Sequence, residues 1–146
     1  MMSMTKEKKL SALEVANDKA QKLMNTIAWR AAYYRANPDI FVKDYLGITL
    51  KLFQRILLYM MMHNNYMMYL ASRGQGKTFL TALFCCVRCI LYPGTKICIA
   101  SSTRIQGNEV LLKIQDELMK MSPNLAFEIQ KCNIGQNNAQ ITFKNG

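Results

Sequence analysis

The spacing of apolar residues predicts that the first third of the chain is helical. Between residues 6 and 35, apolar side chains recur at intervals of three and four, which is typical of an amphipathic helix. A long helix is therefore expected over this stretch, with an apolar stripe made of Leu10, Leu13, Ala16, Ala20, Leu23, Ile27 and Ala31.

Two shorter helices are predicted next, separated by turn residues. Asn37-Pro38 ends the first helix and starts the second, with Asn37 as its cap and Pro38 in its first turn. The second helix is expected to end at Gly47, and a third to run from about residue 50 to residue 62. Four apolar residues of the third helix are expected to face inward: Phe53, Ile56, Leu57 and Met60.

Two short runs with almost no charge interrupt the helical pattern, residues 66–71 (YMMYLA) and residues 96–101 (KICIAS). Such runs are typical of strands that are buried on both faces. A helix is expected between them, from about residue 76 to residue 91, closed by Pro93-Gly94. Strand, helix and strand in this order favour a parallel sheet with helices on its faces.

The last third is predicted to hold one more helix and one more strand. Thr103 and Gln106 form a capping box that opens the helix, and Ser122-Pro123 ends it. Residues 139–143 (AQITF) alternate between apolar and polar positions, as in a strand. The apolar stripe of the helix is Val110, Leu111, Ile114, Leu118 and Met121.

The charge of the chain favours a polyanionic partner. Hydrophobic residues make up 51% of the sequence, enough for a folded core, and the formal net charge is +10. No Asp or Glu occurs from residue 45 to residue 108, while seven Lys and Arg residues do. Nucleic acid and nucleotide phosphates would suit this stretch, and a merely solubilising surface charge is the alternative.

The cysteines argue against a metal-binding protein, and the longest apolar run argues against a membrane-spanning one. Cys85, Cys86 and Cys89 lie on a predicted helix that spreads them over more than one face, so buried thiols are expected rather than a metal site. The longest apolar run, residues 56–62, is too short to cross a bilayer, and no signal peptide is visible. A cytoplasmic protein that does not act in a membrane is expected.

Residues 71–78 (ASRGQGKT) carry the chemistry of the chain, because they fit the Walker A pattern of phosphate-binding loops. Ala71 stands where the first glycine of the pattern usually lies. Backbone N–H groups and the positive end of the following helix can surround a phosphate only where side chains are absent, and Gly74 and Gly76 supply that access. The alternative is a glycine-containing turn that matches the pattern by accident.

Two residues at the end of this motif have the strongest chemical roles. Lys77 would place its ammonium on the β- and γ-phosphates of ATP, and the Thr78 hydroxyl would ligate the Mg²⁺ ion that bridges them. ATP and Mg²⁺ are therefore the expected ligands.

The motif resembles that of one family in particular. Ser72-Arg73-x-x-Gly76-Lys77-Thr78 looks like the arginine-containing Walker A variant of phage terminase large subunits, the motors that package viral DNA. The resemblance implies that Arg73 and Lys77 are catalytic, with Arg73 facing the γ-phosphate. The nucleotide-binding residues that it implies are Gln54, Ser72, Arg73, Gly74, Gln75, Gly76, Lys77 and Thr78.

Gln54 enters this set through Leu52-Phe53-Gln54, which resembles the adenine-recognising glutamine motif that terminases share with helicase-like ATPases. A side-chain amide can donate to and accept from the adenine edge at once. The alternative is a solvated glutamine on an amphipathic helix.

The resemblance runs from about residue 37 to the end of the chain and sets the expected organisation. Residues 1–37 are expected to form a basic helical segment, and residues 38–146 part of a P-loop ATPase domain. The fold class is then α/β, an incomplete P-loop NTPase parallel sheet with flanking helices behind a helical N-terminal segment.

The same resemblance implies a function and a set of partners. The chain would be the ATP-binding part of a packaging motor that couples ATP hydrolysis to DNA translocation into the procapsid. Double-stranded DNA, a terminase small subunit and a portal protein are the implied partners, in the host cytoplasm, and the full-length motor would be a homo-oligomer.

The carboxylates of an ATPase are the part of this pattern that is missing. The only Asp-Glu pair is Asp116-Glu117, and Lys113 and Gln115 interrupt the apolar run before it, so a solvated helix face is expected there. In terminases the acidic strand and a nuclease domain follow the position that matches Gly146, so the chain is expected to be a fragment that is inactive alone. Two alternatives stay open: a helicase-like P-loop ATPase acting on nucleic acid, and a truncated module that binds nucleotide or DNA without hydrolysis.

Overall fold

The chain contains both helix and strand, with 62% of it helical and a two-stranded antiparallel sheet. The computed structural model describes residues 3–72, 74–135 and 139–146, with side chains from Val15 onward. It divides into two units, Met1–Ala36 and Asn37–Gly146. None of the described helices is long and apolar enough to cross a membrane.

The first unit is a single helix, α1 (Ser3–Ala36), which confirms the helix predicted for residues 6–35. Its interactions include the ion pair from Lys22 to Asp18 at 2.8 Å and the stacking of Trp29 on Tyr33, both between neighbouring turns. Leu23 and Ile27 of the predicted apolar stripe are exposed. Contacts of this kind between neighbouring turns are individually weak.

The second unit begins with the two predicted short helices, α2 (Pro38–Asp44) and α3 (Leu52–His63). The carbonyl oxygen of Asn37 accepts hydrogen bonds from the first amides of α2, and Pro38 occupies its first position. The chain leaves α2 through Gly47, which has a φ of 70°. The turn signals in the sequence therefore locate both helices.

The buried face of α3 is not the predicted one. Leu58 and Met62 are buried, whereas Phe53 is 41% exposed and Ile56 is 52% exposed. Met60 is also exposed, and Leu57 is half-buried. Nearly every position of this helix is apolar, so the sequence pattern does not define which side faces the core.

Helix α4 (Lys77–Leu91) is the central element of the unit and confirms the helix predicted for residues 76–91. It packs against both α3 and α5. Its buried side chains include Cys85 and Cys86, and burial raises the pKa of Cys85 to about 12 and that of Cys86 well above its ordinary value. No group of His, Cys, Asp and Glu that could hold a metal ion occurs in the described part of the chain. The other buried residues of α4 are Leu80, Ala82, Leu83, Val87 and Leu91.

The predicted C-terminal helix is present but is not uniform. It consists of α5 (Arg104–Lys113), a π-helical turn (Ile114–Leu118) and the short α6 (Met119–Met121). The Thr103 hydroxyl accepts a hydrogen bond from the Gln106 backbone amide at 3.4 Å, which is one half of the predicted capping box, whereas the Gln106 side-chain oxygen accepts from the hydroxyls of Ser101 and Ser102. Val110, Ile114 and Leu118 are buried, while Met121 at the end of the predicted stripe is exposed.

Residues 122–134 hold two elements that the sequence did not predict. Helix α7 (Pro123–Glu128) starts at Ser122, which is fully buried and whose hydroxyl accepts from the Leu125 amide at 3.2 Å. Strand β1 (Ile129–Ile134) follows and pairs antiparallel with β2 (Ala139–Phe143), the strand predicted for residues 139–143. The register pairs Ile129 with Phe143 and Ile134 with Ala139, with an irregularity between Ile129 and Lys131.

The two predicted buried strands, residues 66–71 and residues 96–101, are not strands in the structure, so the described chain contains no parallel sheet. Both segments run without turn or bend, but neither pairs with a neighbour. Tyr66, Met68 and Leu70 are 96%, 86% and 85% exposed. An uncharged run indicates that a segment prefers an apolar surrounding, but it does not provide the neighbouring strand that a sheet requires.

Candidate nucleotide-binding loop

The loop formed by residues 71–78 connects the exposed segment 66–71 to the start of α4. Gly74 and Gly76 have φ angles of 82° and 70°, in the left-handed region where a side chain is strained. A Cβ atom at Gly74 would meet nothing within 4 Å, so the backbone conformation, and not lack of space, requires glycine there. Arg73 lies outside the described residues.

The N-terminus of α4 is left open by its cap. Gly76 is the N-cap residue, and it has no side chain that could accept hydrogen bonds from the first amides of the helix. Helices α5 and α7 differ, because the hydroxyls of Thr103 and Ser122 accept a hydrogen bond at their N-termini. The first N–H groups of α4, together with the positive end of the helix dipole, are thus available to an anion.

Lys77 extends back across the loop that precedes it. Its Nζ donates hydrogen bonds to the carbonyl oxygens of Ala71 and Ser72, the latter at 3.2 Å, and its side chain is exposed. No carboxylate pairs with this ammonium among the described residues. Thr78, at the second position of α4, is half-buried, and its hydroxyl makes no hydrogen bond to a described residue.

Gln54, on α3, lies against the same loop. Its Nε2 is 3.8 Å from the position that a Cβ atom of Gly76 would occupy. Its Oε1 accepts a hydrogen bond from the Lys51 amide at 2.9 Å, which caps the start of α3. The packing of α3 on α4 therefore brings a side-chain amide, with N–H groups to donate, beside the glycine that begins α4.

The remaining residues of the predicted set have simpler environments. Ser72 and Gln75 are exposed in the loop. Of the eight predicted residues, the structure brings Gln54 against Gly76 at the start of α4, and Lys77 and Thr78 follow Gly76 as the first two residues of the helix. Sequence reasoning missed Lys51, whose backbone amide holds the Gln54 side chain, because a backbone donor leaves no residue-type signal.

Two of the basic residues in the stretch without acids make defined side-chain contacts. Arg55 forms an ion pair with Asp39 at 2.6 Å. Asp39 precedes residues 45–108, the stretch that contains no acid. The guanidinium of Arg88 lies over the ring of Tyr92, 4.1 Å from its centroid. Lys77 has no acidic partner among the described residues.

Two of the four carboxylates that follow the loop make other contacts. Glu117 lies in the π-helical turn and pairs with Lys113, which confirms that the Asp116-Glu117 pair is helical. Glu128, at the end of α7, accepts a hydrogen bond of 2.5 Å from the Tyr45 hydroxyl. Burial and this hydrogen bond raise the pKa of Tyr45 to about 12.

The loop thus has the chemistry of a polyanion-binding site with a neighbouring group for a hydrogen-bonding ligand. It combines an open helix N-terminus, one lysine ammonium and one side-chain amide. No protein-family model matches this sequence, and searches of curated proteins and of solved structures found no match.

Proposed function

We propose that this chain binds ATP at the loop of residues 71–78, as the ATP-binding part of a DNA-packaging motor of the terminase large-subunit kind. The observation that carries the proposal is the position of Gln54, whose amide lies against Gly76 beside Lys77. ATP has a charged end and a hydrogen-bonding base, and binding it needs partners for both. A phosphate-binding loop with a side-chain amide at its edge supports that pairing.

The phosphates would be bound by the start of α4 and by Lys77. In the structure the Lys77 ammonium donates to two neutral carbonyl oxygens, those of Ala71 and Ser72. Phosphate oxygens carry negative charge and form stronger hydrogen bonds with an ammonium than neutral carbonyls do. A bound triphosphate would therefore replace the carbonyl oxygens as the partner of Lys77.

Four further residues of the loop have proposed roles. Thr78 would ligate Mg²⁺ through its hydroxyl, and the ion would neutralise phosphate charge. Arg73 would face the γ-phosphate in the complete motor. Ser72 and Gln75 would line the loop around the phosphates.

DNA is the proposed second ligand. The stretch from residue 45 to residue 108 has seven basic residues and no acid of its own, and among the described residues Arg55 pairs with Asp39, which precedes the stretch. Lysine and arginine contacts to DNA phosphates release counterions, so the affinity would fall steeply with salt and would not depend on sequence. A terminase small subunit and a portal protein are proposed as partners on the resemblance alone.

A nucleotide-binding module without hydrolysis is the second candidate. The observation that favours it is the location of the carboxylates after the loop, since Glu117 and Glu128 are engaged by Lys113 and Tyr45. Under this alternative the loop would bind ATP and Mg²⁺ as above, but the bound ATP would not be hydrolysed.

The experiment is a titration of the purified chain with ATP and Mg²⁺, comparing wild type with Lys77→Ala. Loss of a charge-assisted hydrogen bond is worth about 1.5–3 kcal/mol, so we expect the dissociation constant to rise about tenfold to hundredfold. Lys120→Ala, which removes an exposed lysine from α6, is the matched control and should leave the affinity unchanged. Equal affinities of wild type and a folded Lys77→Ala variant would overturn the proposal.

A further inference from the structure

The second unit contains an apolar groove that the proposed nucleotide site does not use. The groove has a volume of about 880 Å³ and runs between β2 and the straight segment of residues 95–101. Helices α4 and α5 contribute Cys89 and Leu111 to its lining.

Both long walls of the groove are backbone edges. Every residue from 95 to 101 and every residue of β2 lines it. A strand that presents one face to a cavity contributes alternate residues, whereas a strand that presents its edge contributes consecutive ones. The groove is therefore bordered by two lines of peptide groups.

These peptide groups have unused hydrogen-bonding capacity. Among the described residues, β2 pairs with β1 alone, which leaves its second edge open. Residues 96–101 make no backbone-to-backbone hydrogen bond with any described residue. Open edges of this kind are templates for pairing with a further strand, and an extended peptide can satisfy both walls at once.

The chain itself carries a segment of matching character, residues 66–71. It runs straight, has no charged residue, and makes no backbone-to-backbone hydrogen bond with the described part of the chain. Alternate side chains, Tyr66, Met68 and Leu70, are almost fully exposed. The segment is six residues long, which is close to the five residues of β2 and the seven of segment 95–101. Because the segment carries no charge, inserting it would not place an unpaired charge next to Ile97, Ile99 and the other apolar residues that line the groove.

We propose that the groove binds residues 66–71 of a second copy of this chain as an added strand. The donor and the acceptor are different surfaces, so the contact is head-to-tail and association continues from copy to copy unless a ring closes. The inference does not use the phosphate-binding groups of the proposed nucleotide site, although Ala71, whose carbonyl oxygen accepts from Lys77, belongs to both segments.

The test is a complementation experiment read by sedimentation velocity without nucleotide. Met68→Pro removes an N–H group from the donor, and Ile99→Pro removes one from the acceptor wall. An inserted strand uses its N–H groups on both sides, so either proline should raise the apparent dissociation constant for self-association at least about tenfold. Met68→Val and Ile99→Val are the matched controls, since valine keeps the N–H group and favours strands.

The decisive sample is an equal mixture of the two proline variants. Each variant alone should be monomeric, whereas the mixture should form a complex of two chains and nothing larger, because only one donor and one acceptor are intact. Circular dichroism would check that each variant is folded, and Ile97→Lys would replace Ile99→Pro if that variant is not. A wild type that stays monomeric over a roughly hundredfold range of concentration, proline variants that associate as wild type does, or a mixture that stays monomeric would each overturn the proposal.

Discussion

Gln54 makes two different contacts with the two ends of its side-chain amide. The oxygen accepts from the Lys51 amide and caps α3, while the nitrogen faces Gly76. A substitution that removes the whole amide would therefore mix a loss of helix stability with a loss of base recognition. The two effects can be separated with a side chain that keeps only the acceptor.

We predict that Gln54→Glu keeps the cap of α3 and abolishes the preference for ATP over GTP. A carboxylate accepts from the Lys51 amide and is favourable in the first turn of a helix, but it has no N–H group to donate to adenine. The added negative charge should weaken the binding of ATP and the binding of GTP alike. The measurement is therefore the ratio of their dissociation constants. Gln54→Ala is the comparison and should also lower the stability, by about 0.5–2 kcal/mol. A Gln54→Glu variant that still prefers ATP as wild type does would contradict adenine recognition by this residue.

Local signals in the sequence were enough to predict several elements of the chain. Proline and asparagine at the start of α2, glycine before α4 and the Thr103 cap of α5 act within a few residues, and these helices lie where the signals indicate. Strand β1 was missed because its sequence, IQKCNI, mixes polar and apolar residues without a clear period. Helix α7 was missed because Ser122-Pro123, which was expected only to end a helix, also starts one.

Structural features that depend on distant parts of the chain could not be predicted. The inward face of α3 depends on its packing against α4, and a helix that is apolar on most sides fits more than one orientation. Pairing of residues 66–71 and 96–101 requires a neighbour that no local pattern supplies. The same contrast holds for the candidate site. The glycine positions of the loop could be predicted from the sequence, whereas the contact between Gln54 and Gly76 depends on tertiary packing.

We predict that the two sides of α3 differ strongly in their contribution to stability. Leu58 is fully buried, so Leu58→Ala should lower the free energy of unfolding by about 2–5 kcal/mol through lost burial and a residual cavity. Ile56 is half exposed, and Ile56→Ala, which removes a side chain of similar size, should change it by only about 0.5 kcal/mol. Urea unfolding of the two variants gives the comparison. Equal losses, or a larger loss for Ile56→Ala, would show that the sequence-based orientation of α3 was right.

At the scale of the whole molecule, nucleotide binding and nucleotide hydrolysis make different demands. Binding, as proposed, would use the open start of α4, Lys77 and Gln54, which all lie within a short stretch of the second unit. Hydrolysis also needs a carboxylate that can take a proton from the attacking water within hydrogen-bonding distance. The described residues meet the first demand more fully than the second.

The last prediction is that this 146-residue chain binds ATP but does not turn it over. Its carboxylates after Lys77 are Glu109, Asp116, Glu117 and Glu128, and all four lie on helices. Losing a general base typically costs about two to four powers of ten in rate, so turnover should be too slow to measure above background. The measurement is phosphate release with Mg²⁺, with and without DNA, and Lys77→Ala serves as the background. Mg²⁺-dependent release that disappears in Lys77→Ala would show that one of these carboxylates reaches the bound nucleotide, and variants of each to Gln or Asn would then identify it.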